Sequence, residues 1–113
     1  MLITATGQVI LSYLPAAERN ELLRRREEDE PAAVAAFLEQ LPTIRETRLA
    51  FNRAGTVPRR WAVATPLLHP DGGYVATICA VGGPEIADSL DDVGALLVDA
   101  VHAWRWPPGD RRP

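Results

Sequence analysis

The sequence predicts an α+β domain with an antiparallel sheet, and three observations carry that reading. Helical periodicity fills the first 47 or so residues. Two β-rich runs then flank Pro70-Asp71-Gly72-Gly73, where glycine supplies the positive φ of a tight hairpin. An amphipathic helical stripe closes the chain. A length of 113 residues allows one domain over 1–113 and leaves no room for a second.

Each element has its own local signal. Thr4 to Leu14 opens with small polar residues and turns apolar through Val9, Ile10, Tyr13 and Leu14. Thr6 is placed to cap a short helix that Pro15 ends. Pro15 then stands at the first turn of a polar surface helix whose inward residues are Leu22 and Leu23. Within it, Arg24-Arg25-Arg26 runs into Glu27-Glu28-Asp29-Glu30, which reads as a solvated face with internal ion pairs or, failing that, a contact patch.

Pro31 restarts the pattern, with Val34, Phe37, Leu38, Leu41 and Ile44 on one helical face. Pro42 removes a backbone donor inside that stripe, so a kink or two helical pieces are expected. Leu49 to Asn52 reads as a short strand, and the following segment, with Gly55 and Pro58, as a connection. Trp61–His69 and Tyr74–Gly82 are the hairpin strands, and Pro66 marks an edge position or a bulge in the first. Asp88 or Ser89 caps the last helix, Asp92 completing a capping box with Ser89. Its apolar face is Leu90, Val93, Leu96, Leu97, Ala100, Val101 and Trp104, and Pro107-Pro108-Gly109 ends it ahead of a polar tail.

Composition bounds the function. Hydrophobic residues make up 47% and charged residues 24%, as in an ordinary globular chain. No run approaches the roughly 18–20 apolar residues that cross a bilayer, and the start lacks a signal-peptide pattern. Cys79 is the single cysteine, which excludes an internal disulfide and a Cys-rich zinc site. A cytoplasmic protein with no membrane partner is expected. Fifteen acids against twelve bases, all arginine, leave a net charge of −3 and argue against DNA binding by this chain.

Catalytic machinery is absent from the pattern. His69 and His102 have no metal-ligand spacing to each other or to Cys79, so no metal is expected. Cys79 sits in an apolar strand with no activating base in view. Gly82-Gly83 lacks the continuation of a phosphate loop, and Asp91-Asp92 reads as acid at a helix N-terminus. Neither an enzyme nor a cofactor is expected.

The order of these segments resembles the effector-binding domain of IclR-type bacterial transcription regulators. In that family a T-A-x-G helix start precedes an I-R-x-x-G-[YF]-A-x-[DN] segment, an A-x-P-[VI] strand, a D-G turn and an S-[VI]-S-G-P strand end. The matching stretches are Thr4 to Leu14, Ile44 to Asn52, Ala64 to Leu67, Asp71-Gly72 and Gly83-Pro84. The resemblance implies a GAF-like or profilin-like α/β sensor: a curved antiparallel sheet with flanking helices around a small-molecule pocket. It implies a ligand-sensing domain, N-terminally truncated relative to the family, that self-associates as a dimer or tetramer. DNA would be read by a separate helix-turn-helix domain absent from this chain. A module for oligomerisation or interaction with a vestigial pocket is the alternative.

Carried over residue by residue, the family pocket falls at Gly7, whose helix N-terminus suits an anion, at Asn52, and at Arg60 and Ala62. The family's two strand serines fall at Ala80 and Gly82, or at Cys79 and Val81 if the hairpin holds an extra residue. Either way the hydroxyls are lost. Arg60, beside Arg59 and Trp61, either turns inward and replaces them with a charged donor for a small organic or aromatic acid, or stands with Arg59 as an exposed loop residue while Trp61 packs in the core.

Overall fold

The computed structural model describes residues 4–53 and 60–104. The expected connection at 54–59, with Gly55, Pro58 and Arg59, and the expected helix end and tail at 105–113 lie outside the described residues. Among the described residues the elements are α1 (Ala5–Tyr13), α2 (Ala16–Glu27), α3 (Pro31–Thr47), β1 (Ala50–Arg53), β2 (Trp61–Leu68), β3 (Tyr74–Gly82), a 3₁₀ helix (Pro84–Ser89) and α4 (Leu90–Ala103). No helix among them is long and apolar enough to cross a membrane. The α+β class is as expected: the described strands form an antiparallel sheet in the order β1-β2-β3.

Thr4, not Thr6, caps α1. Its backbone is extended, as a cap requires, and its Oγ1 accepts the Gly7 N–H at 3.1 Å, whereas Thr6 is already helical. In α2 Leu23 is buried and Leu22 exposed, against the expectation that both turn inward. Neighbours on a helix point about 100° apart, and α2 leans on α3 along a narrow line only. Its arginine run is laced with ion pairs: Arg24 and Arg25 to Glu21, and Arg26 to Glu30.

α3 is one continuous helix of 17 residues with Pro42 inside it, not two pieces. Pro42 is exposed, so its ring meets solvent, while buried Val34, Phe37 and Ile44 anchor the helix on both sides of it. The helix stops where Arg48 turns left-handed, with φ 62°, and donates its N–H to the Ile44 carbonyl at 2.7 Å. Thr65 Oγ1 on β2 donates to the Arg48 carbonyl at 2.7 Å, fastening the α3–β1 corner to the sheet.

β1 ends its pairing with β2 at Ala50 opposite Ala64, so Pro66 occupies a stretch of β2 that is locally an edge on that side. The missing donor therefore costs no ladder bond there. A bulge at Leu67/Leu68 leads into the turn. There Gly72 adopts φ 93°, and Asp71 Oδ1 accepts the Gly73 N–H at 2.8 Å.

Strand alternation gives the sheet two different faces. Ala50, Ala62 and Ala64 join Ala5 and Val9 of α1 and Phe37 and Ile44 of α3 in the main core. On the other face α4 lies over β2, with Leu90 fully buried and Gly94 close to Val63 and Leu49. A Cβ on Gly94 would come within 3.2 Å of the Val63 methyl, so the helix packs closely against β2 there. Ser89 begins α4 but makes no side-chain cap; its hydroxyl donates back to Ile86 O at 3.3 Å, so the expected capping box does not form. Leu96 and Trp104, expected on the inward stripe, are half or more exposed, because the sheet beneath α4 is narrow.

Candidate functional site

The sequence-read site residues fall on both faces of the sheet. Asn52, Ala62 and Val81 stand in one row across β1, β2 and β3 on the side covered by α1, and Cys79 shares that side. Ala80 and Gly82 point to the α4 side by alternation. The two registers considered for the family serines are thereby separated: Cys79 and Val81 accompany Ala62, and Ala80 and Gly82 do not. Nor is there open space at Gly82, since a Cβ there would meet Ile86 Cδ1 at 2.8 Å.

Several of these residues already have occupations. The Gly7 N–H donates to the Thr4 hydroxyl, so an anion at this helix start would have to take the hydroxyl's place. Ala62 is packed in the core, Cys79 lies against it, and Val81 is 53% exposed. Asn52 is 4% exposed and donates its Nδ2 to the Arg60 carbonyl at 3.2 Å, tying the end of β1 to the start of β2. Arg60 thus takes part through its backbone, and the residue is exposed.

A cavity of about 730 Å³ runs along the free edge of β1. One wall is α3, through Ala33, Ala36, Phe37 and Gln40, then Thr43, Ile44 and Thr47 one and two turns further on. β1 and the residue before it form the floor from Leu49 to Arg53, so Asn52 is the residue common to the cavity and the sequence-read site. Gln8, next to Gly7, closes one side, and Asp91 and Ala95 of α4 close the other. The body is apolar with a few separated polar groups, which is the make-up of small-molecule sites. Because β1 pairs with β2 alone among the described strands, alternate backbone N–H and C=O groups along it turn toward this space.

The polar groups at the rim differ in how far they are engaged. Thr47 Oγ1 donates to the Thr43 carbonyl at 2.9 Å and accepts the Leu49 N–H at 3.2 Å, which occupies it with its own turn. Arg53 pairs with Asp91 at 2.7 Å and lies over the Phe51 ring, 4.3 Å from its centroid. Among the described residues no group of three or more His, Cys, Asp or Glu side chains is placed to hold a metal.

Sequence reasoning missed the α3 wall and Arg53. Its signal was present as a second row one step round from the core stripe. Ala33, Ala36, Gln40, Thr43 and Thr47 repeat at three- and four-residue spacing, small and uncharged where a solvent face would carry charge.

Comparison with known proteins adds the family context. No protein-family model matches the sequence. No curated protein matches it either. Among solved structures, an IclR-family regulator's targeted domain superposes with a TM-score of 0.72 at 25% identity, over 88% of this chain and 60% of that one. A chain described as the C-terminal domain of a transcriptional regulator from Vibrio cholerae gives 0.71 at 20% identity, over 89% and 61%. The inducer-binding domain of PobR from Acinetobacter, a double mutant in complex with 3-hydroxybenzoic acid, gives 0.64 at 23% identity, over 88% and 61%. This chain thus spans less than two thirds of each. Its helices and antiparallel sheet have the fold of the C-terminal, inducer-binding domains of IclR-family transcriptional regulators.

Proposed function

We propose that this chain is a ligand-sensing domain that binds a small organic or aromatic acid and modulates DNA binding by a domain outside this sequence. The observation that carries the reading is the cavity along β1: it has the volume, the apolar body and the separated polar groups that such a ligand needs. Asn52 at its floor is the sequence-read position that lines it; Gly7, Arg60, Ala62 and the Cys79–Gly82 segment are not among the lining residues. The protein would act without catalysis, in the cytoplasm, as a homo-oligomer. A ligand shifts such a molecule between arrangements only by its differential affinity for them.

A thermal-shift screen followed by calorimetry, with a panel of small aliphatic and aromatic acids, tests the proposal. The expected result is saturable stabilisation by at least one acid, reduced when Phe37 or Ala36 is enlarged or polar groups are placed in the α3 wall. No stabilisation by any member would overturn it. The second reading, an interaction module with an unused pocket, is favoured by one observation: β3 runs nine residues without a charge or a proline and exposes Val81 at its end.

A further inference from the structure

An ion pair stands at the mouth of the cavity and joins elements distant in sequence. Arg53, the last residue of β1, places Nη2 2.7 Å from Oδ1 of Asp91 in the first turn of α4. Both residues line the cavity, and their side chains are 49% and 78% exposed. The Phe51 ring beneath the guanidinium holds it in place. An exposed pair of this kind contributes little to stability, so exchanging one carboxylate for another on Arg53 is close to neutral for the fold.

The rest of the cavity fits an acid approaching that arginine. Gln8 and Gln40 line it, and neither side-chain amide has a hydrogen-bond partner among the described residues. Ala33, Ala36 and Ala95 leave room for a flat body beside Phe37.

We infer that an acid bound in this cavity takes Arg53 over from Asp91, and that binding thereby uncouples the first turn of α4 from β1. The inference rests on the acid-sensing reading given above and adds the residue that recognises the carboxylate and the contact that reports it. The ligand class is an acid with an apolar body and a second polar group for Gln8 or Gln40. Leu90 and Gly94 hold α4 on the sheet through apolar packing, so the change is confined to the tie at Asp91.

Arg53→Met and Asp91→Asn test this, with 3-hydroxybenzoate and the uncharged 3-hydroxybenzyl alcohol as probes in calorimetry. Arg53→Met is expected to weaken the acid by about tenfold or more and leave the alcohol unchanged, as loss of a charge-assisted bond does. Asp91→Asn removes the competitor and is expected to tighten the acid several-fold, again without effect on the alcohol. Hydrogen exchange supplies a readout that affinity does not. Amides at the start of α4 should exchange faster when the acid binds the unsubstituted protein, and faster without ligand in Asp91→Asn. Acid affinity unchanged in Arg53→Met overturns the inference while leaving the sensing reading intact, as does acid binding with no change at α4. If Arg53→Met fails to fold, Asp91→Asn decides alone, and an unchanged acid affinity there overturns the inference. If no acid binds the unsubstituted protein, the sensing reading falls and the inference with it.

Discussion

Thr65→Val isolates the hydrogen bond that fastens the α3–β1 corner to the sheet. Thr65 is 1% exposed, and its hydroxyl donates to the Arg48 carbonyl at 2.7 Å. Valine has nearly the same shape, so no cavity opens and the effect is that of the lost bond alone. A net intramolecular hydrogen bond contributes about 0.5–1.5 kcal/mol, and a carbonyl left without its partner adds to the loss, so about 1–2 kcal/mol is expected. For a domain of this size that corresponds to a melting midpoint lower by roughly 4–8 °C. Differential scanning calorimetry reads it directly. Thr65→Ser, which keeps the hydroxyl, serves as the control and should lose less. A Thr65→Val midpoint equal to the parent's would refute the claim that this bond holds the corner.

Other outcomes follow from single features. Arg48 holds a left-handed conformation in which a Cβ is strained, so Arg48→Gly should stabilise the fold by about 0.5–1 kcal/mol in urea denaturation; a loss would show that the arginine side chain outweighs the strain. Sedimentation equilibrium at micromolar concentrations should show self-association dispersed by Val81→Arg, because β3 offers an uncharged edge; a monomer throughout would count against this use of the edge. Arg60→Ala should leave ligand affinity unchanged in calorimetry, since the Arg60 backbone, not its side chain, is bound by Asn52; a marked loss would return the side chain to the site.

The elements with strong local chemistry were legible in the sequence. The Pro70–Gly73 turn placed both hairpin strands, because a positive φ at glycine and an asparagine-like role for Asp71 leave few alternatives. β3 matches its predicted span residue for residue. Errors arose where tertiary packing chooses among equivalent local signals. Thr4 and Thr6 are both good caps, and only the chain's path into α1 selects the first. Pro42 breaks a helix on propensity grounds, yet Val34, Phe37 and Ile44 find the same core on either side of it and carry the helix through. Of the residues lining the cavity, the sequence reading had named Asn52 alone. Alternation alone could not say which of Cys79–Val81 or Ala80–Gly82 shares a face with Ala62, since a one-residue slip reverses every side chain. Arg53 and Asp91 lie 38 residues apart and meet because α4 crosses the sheet, which no spacing along the chain reveals.

Among the described residues the sheet pairs neighbours in sequence, β1 with β2 and β2 with β3. Such loops close at small entropic cost, so the meander is suited to form early in folding. α1 must instead return from the far end of the chain to cover β2 and β3, and α3 arrives with it. The cavity needs α1, α3, β1 and α4 together, so only the assembled fold presents it. A ligand that recognises it has no site on the unfolded chain, and its binding adds to the stability of the folded protein as its concentration rises above the dissociation constant.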